Sequence, residues 1–430
     1  MDKNTVIGFL LIAVIVIGFG LLNRPSEEEI ARQRKYNDSI ALVQQARAEA
    51  EAAARAALEE QRNTVTETDS ASVSGQLANA FGEFSAAATG EEKLITLENE
   101  LIKLAISTKG GTVYSAELKN YRTHDSLPLI LFEGEESRMN FTLITNGNLI
   151  VNTENMYFEP IADIKKDESG AQTLILRLNT TEKDAYIDFA YTLPTNDYML
   201  AFGMKSNNMN RVMPLGTNYL EMEWDAKIRQ QEKGRKFESQ YSAIHYKYES
   251  DDMEKMSNAK NDSKKLSNRV KWIAFKDQFF STILIANNAF TSASLMSTVE
   301  HETSPYLKSY ASKMVMPFDP TGKEPSTFRV YYGPNQYKIL KAYDNDVPKN
   351  LKLKLRDIVP LGWGIFGWIS RMLIIPMFNF FGRFIGNYGI IILLMTIVIK
   401  IIIFPMTYKS YMSSAKMRVL KPEIDEINKR

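Results

Sequence analysis

The 430-residue chain has no cysteine and only three histidines. Without cysteine there is no disulfide framework, no thiol nucleophile and no thiolate-held metal. The absence suits a cell-envelope compartment, although cytosolic proteins can also lack cysteine. His124, His245 and His301 sit at no helical ligand spacing, which argues against a histidine metal site. A net charge of +1 leaves no global attraction for nucleic acid. No DNA partner, metal or cofactor is therefore expected. The chain also has few long hydrophobic runs, and those it has stand at its two ends.

The first run, VIGFLLIAVIVIGFGLL at residues 6–22, is uncharged. At ~1.5 Å per residue it just spans a ~30 Å hydrocarbon core. It is long for a signal-peptide core, and no small-x-small cleavage site follows. An uncleaved anchor over residues 5–22 is expected. Residues 26–61 are rich in Ala, Glu, Arg and Gln, with no large apolar residues at a core spacing, which predicts a solvated helix or weak coiled coil. Residues 64–90 turn to Ser, Thr, Ala and Gly, so residues 23–91 read as a helical, then flexible, linker.

From residue 93 the period becomes two. LITLENELIKLAISTKGGTVYSAELKNY alternates apolar and polar residues around Lys109, Gly110 and Gly111, a hairpin signal. The glycines read as turn chemistry, since no helix start follows them as a phosphate loop requires. Similar strands recur as far as STFRVYYGP, separated by Asn, Asp, Gly and Pro. The expectation is a large all-β sandwich over residues 92–356. Within it, ESDDMEKMSNAKNDSKKLS at residues 249–267 reads as an exposed loop, and Trp224 and Trp272 as core or edge aromatics.

Residues 361–385 are apolar but interrupted by Arg371, Pro376, Asn379 and Arg383, while Trp363 and Trp368 favour the headgroup zone. Residues 388–406 carry Lys400 as their only charge, with Pro405 at the end of the run. Beyond it Lys409, Lys416, Arg418 and Lys421 outnumber the acids, which marks the cytoplasmic side. That orientation places the β domain outside and the N-terminus inside. A further span at residues 361–385 would put either the basic tail or the β domain on the wrong side. Residues 357–386 are therefore assigned to an interfacial amphipathic helix, 387–406 to a span, and 407–430 to the start of a cytoplasmic helical hairpin.

Lys400 needs a reason. An ionisable group at mid-membrane costs roughly 2.5–3.5 kcal/mol on insertion scales. Either its stem lifts the ammonium to the inner headgroups, or the charge faces a water-filled cavity between helices. A lone span has no cavity. The chain closes on SAKMRVLKPEIDEINKR, in mid helical pattern, so a longer polytopic protein is expected.

GNYGIIILLMTIVIKIIIFPMTYKSYMSSAKMRVLKPEI, residues 386–424, resembles the first core span and following cytoplasmic hairpin of the YidC/Oxa membrane protein insertases. STKGGTVYSAELKNY and VYYGP resemble strings in the periplasmic domain of the family's long Gram-negative form. The resemblance implies an inner-membrane, multi-pass protein with α-helical spans and a β-supersandwich-like periplasmic domain. It implies no enzyme but an insertase and chaperone for nascent membrane proteins, acting alone or with the Sec translocon and its accessory subunits. Lys400 would be the positive charge of a hydrophilic groove, where the family usually has arginine; lysine keeps the charge and loses the planar fork. Lys409, Lys416, Arg418 and Lys421 would meet substrate or ribosome. Trp363, Trp368, Arg371 and Arg383 would hold the interfacial helix against membrane lipids. Two rivals stand beside this reading. A sugar enzyme of the galactose mutarotase type, similar in architecture, would need a carboxylate base and usually His acids in one pocket. A two-span envelope protein would only present the β domain.

Overall fold

The strand Tyr186–Leu193 shows how the alternating pattern becomes structure. Ile187, Phe189, Tyr191 and Leu193 are buried, and the residues between them are not. Its neighbour Gln172–Asn179 buries Leu174, Leu176 and Leu178, and antiparallel register sets Ile187 opposite Leu178 and Phe189 opposite Leu176. On the other face Arg177 forks onto Asp188, its cross-strand partner, at 2.7 and 2.9 Å. One covered face and one wetter face is the usual condition of an antiparallel sheet.

A computed structural model describes residues 70–362 and 364–427, with side chains from residue 75 to residue 421. The N-terminal anchor, most of the linker and Trp363 lie outside the described residues. Three antiparallel sheets make the β domain. The largest has ten strands, running in space from Met253–Lys255 through Ala243–Tyr248, Val270–Lys276, Phe280–Phe290, Ser326–Pro334, Met199–Asn207, Tyr186–Leu193 and Gln172–Asn179 to Glu159–Pro160, with Lys165–Lys166 also on Gln172–Asn179. The second has six, in the order Asp262–Leu266, Ser292–Val299, Tyr306–Pro317, Tyr219–Arg229, Ser137–Ile144 and Ile150–Asn152. The third is a meander of Leu94–Glu98, Ile102–Ser107, Thr112–Arg122 and Pro128–Glu133.

Aromatic rings join the two larger sheets face to face. Trp224 stacks on Phe275 at 3.8 Å, Tyr310 meets Phe275 at 5.4 Å, and Phe141 lies between Phe189 and Phe202 at 5.4 and 6.1 Å. Offset and edge-on contacts of this kind are the favoured aromatic geometries in a core. Trp224 and Trp272 are both core residues, and the Trp272 indole donates to the Leu353 carbonyl at 2.8 Å. Val270–Lys276 is buried almost throughout, because residues 337–358 fold back across its outer side. Asp344 fixes that return by accepting from the Leu353 and Lys354 amides at 2.6 and 2.9 Å.

The Gly110–Gly111 turn is the expected hairpin. Ser107 pairs with Thr112, and both glycines hold left-handed φ values of 74° and 59°. Two expectations need correction. Residues 82–87, read as linker from composition, are docked: Phe84 and Ala87 enter the core, while Glu83 and Ala87 carbonyls accept from the Thr181 and Tyr157 amides. One aromatic among small residues suffices to anchor the turn. Residues 249–267, read as a loop, contain Met253–Lys255 and Asp262–Leu266 at the edges of two different sheets. Met256 and Leu266 bury there, and the charged residues around them face water, as edge strands require.

Trp224→Ala is expected to destabilise the β domain by about 3–5 kcal/mol through lost contact and a cavity between the sheets. A lowered urea midpoint followed by near-ultraviolet circular dichroism checks this.

Candidate functional site

The β domain ends at Leu355 and Ile358, both buried, and an apolar helix begins at Gly364. This surface helix runs to Gly382 with a π-helical turn at Ser370–Ile374. Pro376 explains the turn. It supplies no N–H to the preceding turn, and a π-bulge absorbs the missing bond without ending the helix. Ile365, Phe366, Trp368, Met372, Phe380 and Phe384 are exposed. Arg371 lies in the π turn and Arg383 just past the last helical residue. The helix is long and apolar enough to cross a membrane.

The second helix runs unbroken from Tyr388 to Ile427, 40 residues or about 60 Å. Its start is capped by Asn387, whose side-chain oxygen accepts from the Gly389 amide at 2.9 Å. Pro405 does not end it. Proline removes only its own N–H from the ladder, and the Thr407 hydroxyl adds bonds to the Ile403 and Phe404 carbonyls at 3.3 and 2.9 Å. A 60 Å rod is about twice the thickness of hydrocarbon. The apolar half, residues 388–406, matches that thickness, and the other half projects beyond it.

The faces of this helix differ. Ile391 and Met395 are buried, and they lie on the opposite side from Lys400 at about 100° per residue. The surface helix packs there through Ile375–Gly382, with Phe378 stacked on Tyr388 at 5.9 Å. Lys400 is exposed and makes no hydrogen bond or ion pair with the described residues. Thr396, Thr407, Tyr411, Ser414 and Arg418 fall on the same face within about 40° of it, and so do the exposed Leu393 and Phe404. The face around the lysine is thus mixed, with Thr396 on its N-terminal side and a polar run from Thr407 onward, and the described residues leave it uncovered. Sequence reasoning singled out Lys400 and missed the polar run beyond it; counting seven, eleven, fourteen and eighteen residues onward from 400 would have found Thr407, Tyr411, Ser414 and Arg418.

The other expected site residues take their places on these two helices. Lys409, Lys416, Arg418 and Lys421 are exposed on the projecting half, and of these Arg418 lies in line with Lys400. Trp368 and Arg371 belong to the surface helix and are not brought to Lys400.

The β domain holds a buried ionisable cluster that the sequence did not advertise. Glu238 accepts from the Gln231 and Glu232 amides at 2.8 and 3.2 Å and hydrogen-bonds Asp277, which also accepts from the Ser242 hydroxyl at 2.7 Å. Burial, then the Asp277 charge, pushes the Glu238 carboxyl up to about 9, so it holds the proton that the pair shares. The Lys308 ammonium donates to the Ser242 and Asn258 carbonyls at 2.6 and 2.7 Å, and Lys276 to the Tyr241 and Asp277 carbonyls at 2.7 and 3.0 Å. Burial lowers both lysines to about 8, and lowers His245 to about 3. The cavity beside Asp277, about 30 Å³, has room for one or two waters and not for a substrate. A shallow cleft of about 190 Å³ near Gly90 and Tyr157 is also smaller than ordinary ligand pockets, and none of the three histidines lines it.

A large β domain joined to membrane-length helices is the class that this architecture defines. The YidC periplasmic domain family matches residues 94–376, and the 60Kd inner membrane protein family matches residues 380–430. The chain belongs to the YidC family. It is 45% identical over 435 residues to the membrane protein insertase YidC of Parabacteroides distasonis, covering 100% of this chain and 66% of that protein. The protein of the same name from Porphyromonas gingivalis strain W83 is 38% identical over 429 residues, with 100% and 66% covered. The chain therefore spans about two thirds of the length of these relatives. A crystal structure described as an active YidC insertase aligns at TM-score 0.33 and 13% identity, covering 80% of this chain and 62% of that one. A galactose mutarotase-like protein from Lactobacillus casei aligns at TM-score 0.36 and 12% identity, covering 56% and 100%. Likenesses this low define neither a site nor an activity.

The buried cluster sets a pH dependence. An acid whose pKa rises on folding stabilises the fold at low pH, and that contribution fades as pH climbs from 4.5 toward about 9. His245 acts the other way between about 3 and 6.5, and Lys276 and Lys308 between about 8 and 10.5. Between pH 6.5 and 8 the carboxyl pair is therefore unopposed by these groups, and stability is expected to fall as pH rises. Glu238→Gln should flatten that fall, as read from urea midpoints across the interval.

Proposed function

We propose that the chain forms part of a membrane protein insertase and chaperone, in which Lys400 is the charge of a hydrophilic groove. The observation that carries this reading is the exposed Lys400 itself, without a hydrogen bond or ion pair among the described residues, flanked by Thr396 and Thr407 and turned away from the packed face of its helix. In the whole protein, further helices would face that side and enclose water beside the ammonium. A nascent membrane protein would place a short polar, often acidic, segment in the groove. A water-filled half-channel shortens the low-dielectric path that such a segment crosses, and the lysine favours negative charge within it. Burial of the substrate's own apolar span in lipid then drives the transfer. No covalent bond changes in this scheme, so the protein is not an enzyme.

The same reading places the protein in the inner membrane as a multi-pass protein, with its N-terminus in the cytoplasm and the β domain in the periplasm. Lys400 lies ~10 Å inside the membrane from Thr407, in the cytoplasmic half. The projecting part of the helix carries Lys409, Lys416, Arg418 and Lys421 toward substrate or ribosome. Residues 361–385 lie in the outer interface as a brace. Two observations support that placement: packing on the long helix is concentrated in Ile375–Gly382, so the two helices do not run side by side as a hairpin of spans would, and a span there would invert the basic tail. Cooperation with the Sec translocon belongs to the proposal by family alone.

The test is insertion of a substrate with a short acidic external segment, followed in cells by protease protection. Lys400→Glu in the whole protein should slow insertion at least about fivefold, the factor given by ~1 kcal/mol of lost attraction. Lys400→Arg should retain it. A silent Lys400→Leu would mean that the ammonium merely reaches the headgroups.

A further inference from the structure

The β domain has two ends, and the chain leaves it from one of them. Residues 355–358 pack on the helix Tyr337–Ala342, and only four residues lie between Val359 and Gly364, a reach of at most ~18 Å over five steps. The turns around this exit are tied together. Gln336 donates to the Tyr121 hydroxyl at 2.8 Å, the Asn335 amide donates to the Phe279 carbonyl at 2.6 Å, and Tyr121 meets Phe280 edge-on at 5.2 Å. Tyr388, at the start of the long helix, lies close enough to Tyr121 to act on its hydroxyl. The His124 amide donates to the Gln231 carbonyl, and the short helix Arg235–Tyr241 is bound through Tyr241 to Lys276. One rim is thus formed by the turns at 121–127, 231–241 and 277–280.

This rim groups several exposed apolar tips. Leu127, Phe237 and Phe279 are 57, 55 and 49% exposed, and Tyr241 stands against Phe237 at 5.1 Å between rings. Nothing in the fold requires a phenylalanine at the tip of the 277–280 turn: the turn is held by Asn335, which donates to the Asp277, Gln278 and Phe280 carbonyls. Arg122, Lys233 and Lys236 are exposed around the same rim, and outnumber the exposed Asp125 beside them. Exposed aromatic and aliphatic tips with basic neighbours suit the headgroup region of a bilayer containing anionic lipid.

We infer that this rim rests on the outer leaflet beside the point where the Tyr388–Ile427 helix enters the membrane, with Leu127, Phe237 and Phe279 inserted among the headgroups. The inference rests on the membrane placement given under Proposed function. The contact would seat the β domain at two places, its covalent exit and this rim, and so fix its tilt over the membrane. Its position next to Tyr388 would also line up the domain with the external mouth of the span that carries Lys400.

Because these 430 residues lack cysteine, single labels are straightforward. Leu127→Cys, Phe237→Cys and Phe279→Cys are made in the whole protein, with any cysteine outside these residues replaced. Each is labelled with bimane and reconstituted into vesicles of phosphatidylethanolamine and phosphatidylglycerol. Leu215→Cys, at an exposed position in another loop, is the aqueous control, and Ile397→Cys in the long helix is the membrane control. Lipids doxyl-labelled near the headgroups should quench the rim labels about twofold more than the label at 215, as expected for side chains set ~5–10 Å into the interface. Position 397 lies ~13 Å from either end of the 388–406 segment, so it is read with lipids doxyl-labelled near their chain ends. Quenching at 397 by those lipids, with none above control at all three rim positions from the headgroup label, overturns the inference and leaves the span intact. Loss of quenching at 397 as well overturns the membrane placement itself.

Discussion

An ammonium group in an apolar helix has to face something polar, and the C-terminal half of this protein is arranged around that constraint. The Tyr388–Ile427 helix buries Ile391 and Met395 on one side against the surface helix and turns Lys400 to the other. Thr396 and Thr407 continue the polar side one and two turns away, while their hydroxyls are partly occupied by the helix's own carbonyls. Leu393 and Phe404 share this face, so the ammonium is the group on it that hydrocarbon suits least. The length of the rod adds a second requirement. A rod of about 60 Å crossing about 30 Å of hydrocarbon would leave half its length in water, and the half beyond residue 406 carries the basic residues.

The β domain solves a different problem with ordinary means. Aromatic rings bridge the two large sheets, and the return of residues 337–358 covers the strands that would otherwise expose a second apolar face. Its buried Glu238, Asp277, Lys276 and Lys308 are each satisfied by named partners, so the cluster is a tie between the helix Arg235–Tyr241 and the ends of two strands. Such a cluster costs desolvation and returns specificity of position. Here the position it fixes is that of the turns next to the chain's exit toward the two apolar helices.

The sheets were legible because half-buried strands impose a period of two, and the Gly110–Gly111 hairpin because only glycine accepts two successive left-handed positions cheaply. The docked turn at Phe84 was not legible, since a single buried ring leaves no period in a Ser-, Ala- and Gly-rich stretch. The edge strands at Met253–Lys255 and Asp262–Leu266 were hidden for a related reason: edge positions favour charge, and charge reads as loop. Neither Pro376 nor Pro405 ends its helix: a π turn absorbs the first and the helix continues through the second, because one missing N–H is a local loss. Lys400 stood out by composition alone. The polar run beyond it needed helical phase over several turns, and the buried Glu238–Asp277 pair needed tertiary contacts between residues 39 positions apart that no local pattern carries.

The central claim is that Lys400 faces water inside the membrane. The most direct test is the reactivity of Lys400→Cys and Val398→Cys, in the whole protein and in native membranes, with a charged, membrane-impermeant thiol reagent applied from the cytoplasmic side. Val398 lies about 160° around the same helix at nearly the same depth. The account predicts rapid modification at 400 and little at 398. Equal inertness at both positions would contradict it and leave the lysine as a side chain that only reaches up to the headgroups.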